Sequence, residues 1–241
     1  MMCKIQKRQN RETLLSTNKR GAYSSQRQAA RRSRILRAAG QHLERHGLEA
    51  LSMASIAAVS EVSVKTLYNL FGSRDLLLLE AAAEVLVDIG QSKEIQAAEA
   101  GLPRLLAYVV TTMVNFNKMP AYARAVISTI VKADLEPHLA DRHMGVVRRF
   151  AETSLQFAED NGELRDDTDI LQLAEHISAN QWGAVLLWEK GLLKVEQLPT
   201  HVALSHYMTL LPLCIGTRKE RMSAELEALI QDSGLATQYS R

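Results

Sequence analysis

The chain has 241 residues, 46% of them hydrophobic and 23% charged, with a formal net charge of +2. That is enough apolar material for a sizeable core in one or two domains, which excludes global disorder. Its longest uncharged apolar run, Trp182 to Trp188, is far short of the ~18 residues that suggest a membrane span, and two cysteines, Cys3 and Cys214, are too few for a disulfide framework and suit a reducing cytoplasm.

Charge is unevenly placed along the chain. Residues 1–37 hold eleven Lys or Arg against the single Glu12, a net of +10, which leaves −8 of the total +2 on the remainder. Residues 1–26, with Lys4, Lys7, Arg8, Arg11, Lys19 and Arg20, read as a basic, flexible arm. Three roles are open for it: a phosphate-tracking extension, a solvated tail, or an Arg-rich, acid-poor targeting segment.

A helix follows around Arg34–Ala39 and closes at His46-Gly47. Ser52 and Ser63 are then good N-caps for two short helices, because a serine oxygen accepts from the free N–H groups of a first turn. Ile56, Ala57 and Val59 offer an apolar face on the first, and Val62 in the turn is expected to pin the pair at a steep angle. Leu67 and Phe71, four apart, share the core face of the second. Its other side presents Val64, Lys65, Thr66, Tyr68 and Asn69, a set of methyl, ammonium, hydroxyl and amide groups suited to base edges and phosphates in a major groove. This is a helix-turn-helix.

From Arg31 to Leu79 these residues, with Thr66-Leu67-Tyr68-x-x-Phe71 followed by Gly72-Ser73-Arg74, resemble the DNA-binding domain of the TetR family of transcriptional regulators. Two positions depart from that pattern: Glu61 stands where the turn usually has glycine, which tolerates positive φ at lower cost, and Leu70 where histidine or tyrosine is common. The resemblance implies DNA contacts from Ser52, Ser63, Val64, Lys65, Thr66, Tyr68, Asn69 and Arg74, with Arg31 and Arg32 from the preceding helix.

Beyond Gly72, apolar residues recur at helical spacing, good helix formers abound and alternating β-branched runs are absent, so an all-α chain is expected. Ser73 caps a helix running through Leu86. After the break at Gly101-Leu102-Pro103, one carries Leu106 to Phe116, and others cover Ala121–Ala133, Leu139–Glu159, Thr168–Lys190, Pro199–Ile215 and Arg218 to about Gln231. The expected division is an arm at 1–26, a DNA-binding domain at 27–72, a larger helical effector-binding and dimerisation domain at 73–231, and a tail at 232–241.

The resemblance further implies a homodimer in which the last two long helices pair with their copies. Ile177, Trp182, Val185, Tyr207, Leu210 and Leu211 are the candidate interface residues. It also implies a small-molecule pocket among the middle helices. Tyr108, Met113, Phe116, Tyr122, Met144, Phe150 and Phe157 are its candidate lining, which favours a hydrophobic or amphipathic effector. No cofactor is expected.

Rival chemistry finds less support. Asp134, Glu136, His138, Asp141 and His143 cluster carboxylates and imidazoles, but the two histidines lie five apart and share no helix face. His42 and His46 do have one-face spacing, yet His46 sits where a cation suits a helix C-terminus. No nucleophile elbow, phosphate-binding glycine loop or HExxH string is present, so an enzyme is not expected. The sequence therefore points to a dimeric, ligand-responsive regulator of transcription, most often a repressor in this family, that binds a palindromic operator in duplex DNA. The alternatives are a non-specific architectural nucleic-acid binder and a helical small-molecule carrier or enzyme with a vestigial motif.

Overall fold

The computed structural model describes residues 28–132 and 137–233. The expected arm, Cys3, the segment from Asp134 to Glu136 and the end of the tail lie outside the described residues. Twelve α-helices run through the remainder, and among the described residues the only β pairing is an isolated bridge between Leu164 and Cys214. They are α1 (28–46), α2 (Met53–Val59), α3 (Val64–Phe71), α4 (Arg74–Gln91), α5 (Lys93–Ala97), α6 (Leu102–Lys118), α7 (Pro120–Lys132), α8 (Pro137–Met144), α9 (Val146–Asp160), α10 (Ile170–Glu189), α11 (Leu198–Leu210) and α12 (Gly216–Asp232).

Local chemistry sets the boundaries. Ser52, Ser63, Ser73, Ser92 and Asp169 each accept from a first-turn N–H of the helix they open, and Asp75 adds charge favourable to the N-terminal dipole of α4. Gly101, at φ 83°, and Pro103 start α6.

Three helices differ from the sequence reading. The helix after Ser73 stops at Gln91, where Ser92 caps the separate α5. The expected Leu139–Glu159 helix is two helices broken at Gly145, packed so closely on the Asp141 carbonyl that a side chain there has no room. The Pro199–Ile215 helix ends at Leu210 and tightens into a 3₁₀ turn over Leu211–Leu213, as Pro212 lacks the N–H that would continue it. Val59, expected on the inner face of α2, is 47% exposed, and Met53, Ile56 and Ala57 form that face instead.

Two apolar clusters hold the molecule together. The N-terminal one joins Ile35 and Leu43 of α1, Ile56 of α2, and Leu67 and Phe71 of α3. It continues into Leu77 and Leu78 of α4 and into Tyr122 and Val126 of α7, so the core of the head crosses the expected division at residue 72. The second cluster is built by α6, α9, α10 and α11 around Leu105, Val109, Met113, Leu155, Ile177 and Trp188. Each such side chain removed from water contributes roughly 1.5–3 kcal/mol before entropy is counted. Buried Cys214 sits 3.3 Å from the Met222 sulfur, and burial pushes its thiol up to about 11, so it stays protonated and inert.

Candidate functional site

The head is built to expose one face of α3. α2 ends at Val59 with Ser60 as its C-cap, and Glu61 follows at φ 54°, the left-handed conformation that the usual glycine would adopt without a Cβ penalty. Val62 N–H donates back to the Ala57 carbonyl at 3.0 Å, closing the turn, and Val62 packs against the head's core. Ser63 then opens α3, accepting from Thr66 N–H at 3.1 Å. With Leu67 and Phe71 buried, Val64, Lys65, Tyr68 and Asn69 stand exposed, Val64 at 38% and Tyr68 at 52%. Such exposure of a valine and a tyrosine is unexplained within the chain and suits a surface that meets base edges. Gly72 ends the helix at φ 77°.

The remaining predicted DNA contacts are placed less uniformly. Ser52, Ser63 and Thr66 are committed to local bonds: Ser52 accepts from Ser55 N–H at 3.0 Å, and the Ser63 and Thr66 hydroxyls lie 2.8 Å apart. Arg74 pairs with Asp75 at 3.0 Å. Arg31 is exposed on α1, together with Arg34 and Arg37. Arg32 turns inward, donating to the Leu70 carbonyl at 2.9 Å, pairing with Glu80 and covering the Phe71 ring. Sequence spacing put it beside Arg31, but adjacent residues on a helix point about 100° apart.

Behind the head, α4, α6, α7 and α10 surround a cavity of about 60 Å³, partly open to solvent. Val85, Leu86 and Ile89, Thr112, Asn115 and Phe116, Tyr122 and Val126, and Trp182 form its walls. A smaller adjoining hollow of about 10 Å³ shares Leu86, Thr112, Phe116 and Trp182 and adds Met113, Val147, Gln181 and Val185. No charged side chain lines either.

Of the seven residues expected around a pocket, Phe116 and Tyr122 line the main cavity and Met113 the hollow. Tyr108 is instead fully buried and stacked on Phe150, ring centroids 4.0 Å apart, with burial holding its phenol protonated. Met144 contributes its carbonyl, which accepts from the Trp182 indole at 3.2 Å. Phe157 is 45% exposed, against Gly101 and away from the cavity. The missed lining residues include Thr112 and Asn115 of α6, Val126 of α7 and the aliphatic ones of α4. The signal of the last was an apolar pattern too wide for one face, since α4 serves both clusters and the cavity.

The candidate interface residues lie mostly within the chain's own packing. Ile177, Val185 and Leu210 are buried within this chain's own core, Tyr207 is half-buried and donates to Glu225 at 3.0 Å, and Trp182 faces the cavity. Leu211 is half-buried in the turn after α11. Among the residues α10 and α11 leave exposed is the stripe Ala179, Gly183, Leu186 and Leu187 with Met208. His42 and His46 touch, ring centroids 4.7 Å apart, and no group of three or more metal-ligating side chains is found among the described residues.

A capped two-helix unit with an open second helix, set on a third helix, defines a DNA-binding protein of the helix-turn-helix class. Residues 35–81 match the family described as bacterial regulatory proteins, tetR family, and this segment is a TetR-family DNA-binding domain. The helical body that follows has the fold of TetR-family regulators. A TetR transcriptional regulator from Rhodococcus sp. RHA1 is 19% identical at a TM-score of 0.61, the match covering 76% of this chain and 97% of that one. Thermus thermophilus FadR, a transcriptional repressor solved with lauroyl-CoA, is 16% identical at 0.60, covering 77% and 96%. SmeT in complex with triclosan is 19% identical at 0.54, covering 78% and 94%. No curated protein sequence matches the chain.

Proposed function

We propose that the protein is a homodimeric, sequence-specific regulator of transcription that a small apolar or amphipathic effector releases from a palindromic operator. α3 enters the major groove with Val64 toward a thymine methyl, Lys65 and Asn69 toward bases or adjacent phosphates, and Tyr68 on the backbone. Residues 27–72 act as the reading head and 73–231 as the effector-binding and dimerising body.

The observation that carries the ligand response is the position of Tyr122. Its ring walls the cavity, its edge lies against Gly40 of α1, and its backbone N–H donates to Glu44 of α1 at 3.1 Å. Both Tyr122 and Val126 belong to the core cluster that holds α2 and α3. An effector that displaces α7 therefore moves the head, and its differential affinity for the two arrangements sets the response. SmeT, solved with triclosan, and FadR, solved with lauroyl-CoA, support a small-molecule site on this fold by analogy.

Dimerisation is supported by the stripe on α10 and α11. Gly183 stands in mid-helix with nothing within 4 Å of where a Cβ would project. Glycine there costs roughly 1 kcal/mol of helix propensity, a cost that close approach of a second copy explains.

Selection of bound fragments from genomic DNA tests the reading. The expected result is a dyad whose half-sites lie about one helical turn, or a multiple, apart, bound by native protein and lost with Gly183→Glu, which light scattering finds monomeric. Bound fragments without a dyad, or no preference over competitor DNA, would overturn it.

A further inference from the structure

The hollow at the inner end of the cavity contains a polar group with no partner. Gln181 is 2% exposed, lies on α10 between buried Ile177 and Val185, and its Oε1 accepts no hydrogen bond in the described structure. A buried amide oxygen left unpaired loses its hydration with nothing in return, and an apolar residue of the same shape would remove that cost. Leu86, Met113, Phe116, Val147 and Val185 share the hollow, and its other two polar-bearing residues are already engaged, the Thr112 hydroxyl donating to the Tyr108 carbonyl and the Trp182 indole to the Met144 carbonyl. An uncompensated polar atom in this hollow, beside a cavity that is partly open to solvent, is placed to orient a ligand that enters from that side.

We infer that Gln181 selects an uncharged, mainly aromatic or aliphatic effector bearing a hydroxyl at the end that enters the hollow. The inference rests on the effector reading above and specifies the chemistry of that same site. A hydroxyl fits because it donates to the amide oxygen and, were the amide turned over, would equally accept from its nitrogen. Charge is excluded by the walls. No Lys, Arg or His lines either space, so a carboxylate entering them would lose its hydration with no compensating cation.

Three probes of nearly equal shape test this: naphthalene, 1-naphthol and 1-naphthoate, titrated against the full-length protein. Quenching of Trp182, which walls both spaces, reports occupancy, and Trp182→Phe identifies its signal against Trp188. The expected order is 1-naphthol about tenfold or more tighter than naphthalene, the size of one well-made hydrogen bond in a dry site, with 1-naphthoate weaker than both.

Gln181→Met keeps length and flexibility while deleting the amide. It is expected to bring the naphthol-to-naphthalene ratio to about one, leave naphthalene binding within twofold, and raise the melting temperature of the free protein. An undiminished hydroxyl preference in Gln181→Met would overturn the assignment of Gln181. In native protein, equal binding of naphthol and naphthalene, or tight naphthoate binding, would do the same without any variant. Failure of all three probes to quench saturably at millimolar concentration would instead overturn the effector cavity itself.

Discussion

The guanidinium of Arg32 lies over the ring of Phe71, 4.4 Å from its centroid. The same group donates to the Leu70 carbonyl at 2.9 Å and pairs with Glu80 of α4, whose other oxygen is 3.3 Å from Arg142 of α8. One side chain of α1 thus fixes the C-terminal end of the reading helix and ties it to two helices of the body. Arg32→Met is expected to destabilise the fold by about 2–3 kcal/mol, from a lost charge-assisted hydrogen bond and a cation–π contact. DNA binding should weaken without a change in salt dependence, since the Arg32 guanidinium is committed to partners within the chain. Arg31→Ala should do the reverse, leaving stability within about 0.5 kcal/mol and lowering the slope of log K against log salt by about 0.9 for one lost contact. Denaturant melts and salt titrations of the two variants check the contrast.

The exposed and buried faces of α3 should separate function from stability. Lys65→Ala with Tyr68→Phe is expected to abolish operator preference while shifting stability by no more than about 0.5 kcal/mol, as both side chains are exposed. Phe71→Ala, on the opposite face and 4% exposed, should cost about 3–5 kcal/mol. Intact operator affinity in the double variant, measured by gel shift, would remove α3 from the groove.

Glu61 offers a test of the turn. An L-residue in the left-handed region is strained by about 1–2 kcal/mol, and glycine relieves that at an entropic cost of about 0.5–1 kcal/mol in the unfolded chain. Glu61→Gly is therefore expected to stabilise by about 0.5–1 kcal/mol, seen as a higher denaturation midpoint at unchanged m-value. A lower midpoint would mean that the Glu61 side chain contributes something its backbone conformation does not reveal.

What the sequence made legible follows from range. The serine caps, the Leu67 and Phe71 face and the open side of α3 are properties of residues three or four apart, and all were readable. The partner of Arg32 is Glu80, 48 positions away, and no local pattern distinguishes an inward arginine from Arg31 beside it. The cavity was misjudged for a related reason. Aromatic residues were favoured as lining, yet Tyr108 and Phe150 use their rings on each other, while Val85 and Ile89 of α4, which look like ordinary core, face the empty space. Ile177, Val185 and Leu210 were read as surplus apolar surface, but α9 and α6 already cover them. The free face was marked by the less apolar pair Ala179 and Gly183.

The buried cation of α12 links stability to pH. The side chain of Arg218 is 5% exposed, with Glu99 at 2.6 Å and Glu163 at 2.9 Å, and it joins α12 to the loops before α6 and after α9. Its hydrogen bond and charge hold Glu99 below the ordinary value of 4.5. A carboxyl whose folded pKa is depressed contributes stability that is fully present above its unfolded pKa and is lost as pH falls through the folded one. Arg218→Met removes that contribution and leaves Glu163 without its cation, which is expected to cost about 3 kcal/mol near pH 7. The native protein and the variant should then converge as the pH is lowered from 5 through the acid limb, because protonation removes from the native fold what the substitution has already removed. Thermal melts of both across that limb give the comparison, and a stability gap that stays constant down to the lowest pH would mean that Arg218 acts through packing alone.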